Sequence, residues 1–169
     1  MILTLWFLSY LVTLPASFPV LRRLSMSENV KGIGRTGYGA EMQQLALYLF
    51  KRSGAVMTNE VASAFAEDLR FEIQGDVGAL PWIGQKTGRQ AMTDFLRDLR
   101  ALTDPLSFEV YDILASDTRA VVLGSLRSRI TATGKITASQ FALVFTVADG
   151  AIVRFQMLED SYDVSRAAR

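Results

Sequence analysis

The chain has 169 residues, 50% of them hydrophobic and 21% charged, with a formal net charge of +1. That length suits one hydrophobic core and is short for two, while so balanced a charge removes any strong electrostatic case for nucleic acid, which usually shows as a clustered basic face. His and Cys are both absent, which removes imidazole bases, Ser-His-Asp triads, thiol nucleophiles, disulfides, and His or thiolate metal sites; proton transfer must fall to Asp, Glu, Tyr, Lys or bound water.

Met1 to Leu21 carries no charge and contains ILTLWFLSYLVTL before Pro15. This run has the length of a signal-peptide core and is too short for a good membrane span. No basic residue precedes it; Arg22 and Arg23 follow. Three readings stay open: a signal or anchor, a start assigned upstream of a native Met26, and an extra packed helix. Gly32-Ile33-Gly34-Arg35-Thr36-Gly37 matches a dinucleotide fingerprint literally, but the preceding SMSENVK is no buried strand. With Gly39 it reads as a flexible linker. The division expected is a leader and linker over 1–39 and one domain over 40–169, with no membrane segment in the latter. The compartment expected is the cytoplasm, or the outside or membrane surface if residues 1–24 form a leader.

From Ala40 the spacing of Met42, Leu45, Ala46 and Leu49 predicts a helix, with Lys51 and Arg52 favouring its C-terminus and Gly54 ending it. Thr58 is a plausible N-cap for a second, short helix that turns Val61, Ala62 and Phe65 inward. Leu69, Phe71 and Ile73 alternate with Arg70, Glu72 and Gln74, the pattern of a half-buried strand. Gly75 ends it, and DVGALPWIGQK has too many breakers to continue a sheet. Thr87 and Gln90 have capping-box spacing, followed by Ala91, Met92, Phe95, Leu96 and Leu99 at helical intervals. Trp82, after Pro81, either plugs the core or walls a pocket.

A series of strands follows. Leu106, Phe108 and Val110 alternate with polar neighbours, Ala120 to Leu126 resumes after a turn at Ser116-Asp117, and Thr133-Gly134-Lys135 marks the next turn. Thr137 to Val147 is one long strand, Asp149-Gly150 a hairpin signal, and Ile152 to Glu159 the last strand before a polar tail. The long strand is apolar on both faces, which predicts a homodimer through the open face of the sheet. In the last strand the lane Val153, Phe155, Met157 ends in Glu159, where a carboxylate facing a cavity would have a raised pKa; a solvated strand end is the competing reading. Arg127 and Arg129 share a strand face and read either as an anion site or as a solvated edge.

Helices first, then strand, loop and helix, then four antiparallel strands: this order, from about Ala40 to Asp163, resembles the nuclear transport factor 2-like fold. The phrases FEIQGD, PWIGQKTGRQAMTDFL, PLSFEV, VVLGSL, FALVFTVADGAIVRF and LEDS resemble the SnoaL-like proteins within it, relatives of ketosteroid isomerases and polyketide cyclases. The resemblance implies an α+β cone, a strongly curved and mostly antiparallel sheet over about three helices, enclosing an apolar pocket for a hydrophobic small molecule. It implies no metal and no organic cofactor. The isomerase acids do not carry over. An ungapped alignment places the general base on Ile73 and the protonated oxyanion-hole acid on Ala142, and the oxyanion Tyr falls on Leu49, beside Tyr48. The Arg–Asp–Asp set of limonene-epoxide hydrolases falls on Gly124, Leu126 and Met157. The acid/base candidates that remain are Glu159, Asp76 and Asp160. Tyr48 and Gln140 are candidate hydrogen-bond donors in a pocket otherwise lined by Phe71, Ile73, Trp82, Phe95, Ala142, Phe155 and Met157. Isomerisation, cyclisation or hydration is the chemistry expected; a non-catalytic binding or dimerisation module is the alternative.

Overall fold

The computed structural model describes residues 62–116 and 118–169. Within them the chain runs β1 (Phe65–Ile73), β2 (Gly84–Thr87), α1 (Gln90–Leu102), β3 (Thr103–Ala115), β4 (Arg119–Ile130), β5 (Ile136–Ala148), β6 (Ala151–Leu158) and α2 (Ser161–Ala168). The expected helix over 40–52, with Tyr48 on it, lies outside the described residues. Of the second expected helix only its end is described, and Phe65 belongs to β1 instead, fully buried.

One curved sheet has the order β2-β1-β6-β5-β4-β3. Every pair is antiparallel except β1 with β6, where Phe71 lies beside Phe155 and Ile73 beside Met157. Alternation gives the sheet two faces. Phe141, Leu143, Phe145 and Val147 of β5 are buried inward, while Ala142, Val144 and Thr146 are half-buried on the outer face. Arg127 and Arg129 are exposed on that outer face, but β4 lies between β3 and β5, so the expected solvated edge is a solvated face of an interior strand. At the β5–β6 hairpin Asp149 and Gly150 both have positive φ, the conformation that an Asp-Gly turn supplies cheaply. A register shift beside it pairs Val147 with Ile152, so Ile152 is buried and Val153 only half-buried, against the lane read from the sequence.

β2 is a four-residue strand paired with Arg70–Ile73, in a stretch whose breakers argued against any strand. Its pairing holds Thr87 extended against Arg70, so the expected Thr87–Gln90 capping box does not form; Arg89 is the N-cap and no side chain caps the helix. The start of α1 is stitched to β1 instead. The Gly88 amide donates to the Leu69 carbonyl at 2.8 Å, the Arg89 amide to the Glu67 carbonyl at 3.1 Å, and Arg89 Nε to the Phe65 carbonyl at 2.7 Å.

α1 lays Ala91, Met92, Phe95 and Leu96 on the inner face of the sheet. There Phe95 meets Phe71 at 5.5 Å and Phe155 at 6.3 Å between ring centroids, and Phe145 meets Phe155 at 5.4 Å. A second ring pair, Phe108 on Phe141 at 4.8 Å, lies over β4 at Gly124. A Cβ at Gly124 would stand 2.1 Å from the Glu109 carbonyl oxygen and 2.5 Å from the Phe141 ring, so only glycine lets the rings close onto the strand.

The tail, expected as merely polar, is helical in α2. Asp160 caps it by accepting from the Asp163 amide at 3.0 Å, and Val164 and Ala167 turn inward. Among the described residues no helix is long and apolar enough to cross a membrane.

Candidate functional site

Between α1, the Trp82 loop, and the ends of β3, β4, β5 and β6 lies a cavity of about 230 Å³. Its apolar wall is built by the loop and the helix. Trp82, 4% exposed, sets its indole edge against Phe95 at 5.9 Å. Leu80, Phe95, Leu96 and Leu99 continue the wall, with Phe108, Leu126 and Ile130 opposite and Met157 and Val164 at the end. Trp82 thus both packs the core and walls the pocket, uniting two readings that the sequence left apart.

Glu159 lies on that wall. It follows β6 directly, and alternation from buried Met157 across exposed Leu158 turns it inward. Burial pushes its carboxyl up to about 7, and the neighbouring Asp160 charge pushes the same way. Among the described residues it has no ion-pair or hydrogen-bond partner. A carboxyl in this state is protonated or ionised at nearly equal cost close to neutrality, the condition for a group that both gives and takes a proton.

Two of the other polar side chains on the wall are engaged within the fold. Thr137, buried, donates from Oγ1 to Asp163 Oδ2 at 2.9 Å, and Thr103 donates from Oγ1 to the Leu99 carbonyl at 2.6 Å. Arg100 differs from both. It lines the cavity, and its Nη2 is buried with no hydrogen-bond partner among the described residues. Sequence reading missed Arg100, although one signal was there. Met92, Leu96 and Arg100 are spaced by four, so the cation stands where the apolar stripe calls for a leucine.

The remaining expected site residues separate cleanly. Asp76 is not at the cavity: Ser165 Oγ donates to its Oδ2 at 2.6 Å and Arg169 pairs with it, so this carboxylate anchors α2. Asp160 is spent on the cap of α2, with its amide donating to Ser139 Oγ at 3.3 Å. Gln140 is exposed and Ala142 half-buried, both on the outer face, because Phe141 takes the inward position between them. Phe71, Ile73 and Phe155 are fully buried in the ring cluster beside the cavity and do not line it. Trp82, Phe95, Met157 and Glu159 do. The position of the isomerase base is therefore a core Ile73, and that of the second acid faces away from the cavity. Among the described residues no group of three or more acidic side chains is placed to hold a metal.

Solved structures with this architecture are numerous. An NTF2-like protein from Burkholderia xenovorans is similar at a TM-score of 0.65 and 20% identity, over 75% of this chain and 95% of that one. A protein from Rhodopseudomonas palustris named as a candidate isomerase is similar at a TM-score of 0.60 and 17% identity, over 75% and 91% of the two chains. TerC, crystallised with polyporic acid, is similar at 0.59 and 16%, over 76% and 95%. At these identities the likeness is one of fold. No match was found among curated protein sequences. The family model of the SnoaL-like domain matches residues 49–155, and with the six-stranded, mostly antiparallel sheet that those residues largely build, the chain belongs to the SnoaL-like proteins of the nuclear transport factor 2-like superfamily.

Proposed function

We propose that the protein takes a hydrophobic small molecule into this cavity and moves a proton on it through Glu159, in an isomerisation or cyclisation that needs no organic cofactor. The observation that carries the reading is the placement of Glu159: an inward carboxyl with no ion-pair partner, at the end of an apolar cavity, titrating close to neutrality. General acid/base catalysis by one such group contributes on the order of 10²–10⁴-fold. Its range of chemistry is set by what one carboxyl can do. It removes a proton from a carbon made acidic by an adjacent carbonyl, holds it, and returns it to another position or to a new bond's oxygen.

The competing reading is a binding module without chemistry, and one observation favours it. The two positions that the ungapped alignment gives to the isomerase acids hold hydrocarbon here, Ile73 fully buried in the core and Ala142 on the outer face. The two readings part in one experiment. The full-length protein is incubated with enolisable bicyclic ketones such as 2-tetralone in deuterated water, and α-deuteration is followed by proton NMR. The expected result is exchange above the solvent rate that falls on the order of 10²–10⁴-fold in Glu159→Gln. Exchange at the solvent rate in the wild type, with the ketone bound, leaves the binding module as the function.

A further inference from the structure

Arg100 and Glu159 face the same cavity and are not a pair. A guanidinium stays charged at any pH that a folded protein tolerates and presents five N–H donors in a planar fork. Withdrawing one of those donors from water with no acceptor costs free energy on the scale of a lost charge-assisted hydrogen bond. Other arginines of the described chain avoid that cost. Arg89 pairs with Glu67 at 2.7 Å, Arg97 with Asp94 at 2.7 Å and Arg154 with Glu72 at 3.0 Å, while Arg169 pairs with Asp76.

No acceptor among the described residues takes the buried N–H of Arg100. Among the described residues, neither of the two carboxylates on the cavity wall, Asp104 and Glu159, forms an ion pair with it. The Leu99 carbonyl, in the same last turn of α1, already accepts from the Thr103 amide and from Thr103 Oγ1. The last turn of a helix favours a cation through the helix dipole, which explains a positive side chain here but not a buried N–H left without an acceptor.

We infer that the missing acceptor belongs to the ligand: the cavity binds a hydrophobic molecule bearing an anionic oxygen group, a carboxylate or an equally acidic enol, which accepts from the Arg100 guanidinium while its hydrocarbon body lies against Trp82, Phe95, Leu96 and Phe108. Two parallel N–H···O bonds from the guanidinium fork to such a group are the strongest polar contact available to the chain's side chains. The inference rests on the small-molecule reading of the cavity and is independent of proton transfer by Glu159.

The test compares two probes of one shape, 2-naphthoate and 2-naphthamide, titrated calorimetrically into the full chain at pH 6 and low salt. The expected result is at least tenfold tighter binding of naphthoate, lost in Arg100→Met, where the two probes bind alike, and retained in part in Arg100→Lys. Glu159→Gln keeps the preference, which separates this inference from the fate of the catalytic one. Arg100→Met is expected to unfold at a temperature no lower than the wild type, since it removes an unpaired buried donor; should it fail to fold, Arg100→Lys and the two probes on the wild type decide. Equal affinity of the two probes for the wild type, or a preference that survives in Arg100→Met, overturns the inference. Failure of both probes to bind overturns it together with the small-molecule reading.

Discussion

Glu72 and Glu159 stand on adjacent strands, one near the end of β1 and the other just past β6, and the sheet between them gives two identical side chains opposite chemistry. On the outer face Glu72 accepts from Arg154 at 3.0 Å, from Gln156 at 2.9 Å and from Gln85 at 3.2 Å, and the Arg154 hydrogen bond leads in holding its carboxyl below the usual range. On the inner face Glu159 meets hydrocarbon and a like charge, and its carboxyl rises to about 7. Charge at Glu72 is compensated by neighbours that the fold supplies; charge at Glu159 is left for a ligand or a proton to deal with. A carboxylate's role in this protein is decided by which side of one sheet it faces.

The comparison can be broken most sharply through pH. Because the folded-state pKa of Glu159 lies above its ordinary 4.5, the folded protein holds that proton more tightly than the unfolded chain. The resulting stabilisation is complete below about pH 4.5 and is lost as pH rises through about 7. A shift of that size corresponds to about 3 kcal/mol. Urea unfolding of wild type and Glu159→Gln across pH 4.5–8 should therefore show the wild type losing about 3 kcal/mol relative to the variant; parallel curves would place Glu159 in water.

A smaller effect tests why a third carboxylate stays out of the cavity. Asp163 is held by the Thr137 hydroxyl at 2.9 Å and the Ala138 amide at 3.1 Å. Thr137→Val removes a buried hydrogen bond at nearly constant volume and should cost about 1 kcal/mol in the same unfolding experiment; no cost would mean the bond does not hold α2.

The smallest effect belongs to Glu72. Its lowered pKa adds stability above the ordinary carboxylate range, lost as pH falls through the folded value. Because the pair with Arg154 is partly solvated, Glu72→Gln should cost about 0.5 kcal/mol at pH 7 and nothing in strong acid. A cost several times larger would make the outer network a structural centre instead of a surface feature.

Much of this was legible in the sequence because a sheet with one buried face writes its period into the chain. Leu69, Phe71 and Ile73 announced β1, and Asp149-Gly150 announced the last hairpin. Errors came where one residue's shift reverses a face. The register shift at Val147 moved burial from Val153 to Ile152, counting back from the hairpin put the second acid on Ala142, and Gln140 as a donor lies on the same outer lane, while Phe141 between them holds the inward position. Asp76 and Asp160 misled for a different reason. Their partners lie on or beside α2, a helix too short and too polar for its periodicity to stand out. Arg100 was legible and passed over, because a charged residue on an apolar stripe looks like noise until the space it faces is known.

The parallel pairing of β1 with β6 joins the two ends of the described chain into one sheet. β6 lies in the middle of the sheet, between β1 and β5, yet it is the last strand made. Until it is in place, the β1–β2 hairpin has no strand neighbour except its own, while β3, β4 and β5 already form a continuous meander. Joining the two pieces means closing a loop that spans Phe71 to Phe155, a contact of long sequence separation whose entropic cost precedes its reward. The inner wall of the cavity and the carboxyl at its end thus depend on one long-range pairing, since the strand that closes the sheet brings Met157 onto the wall and leads directly into Glu159.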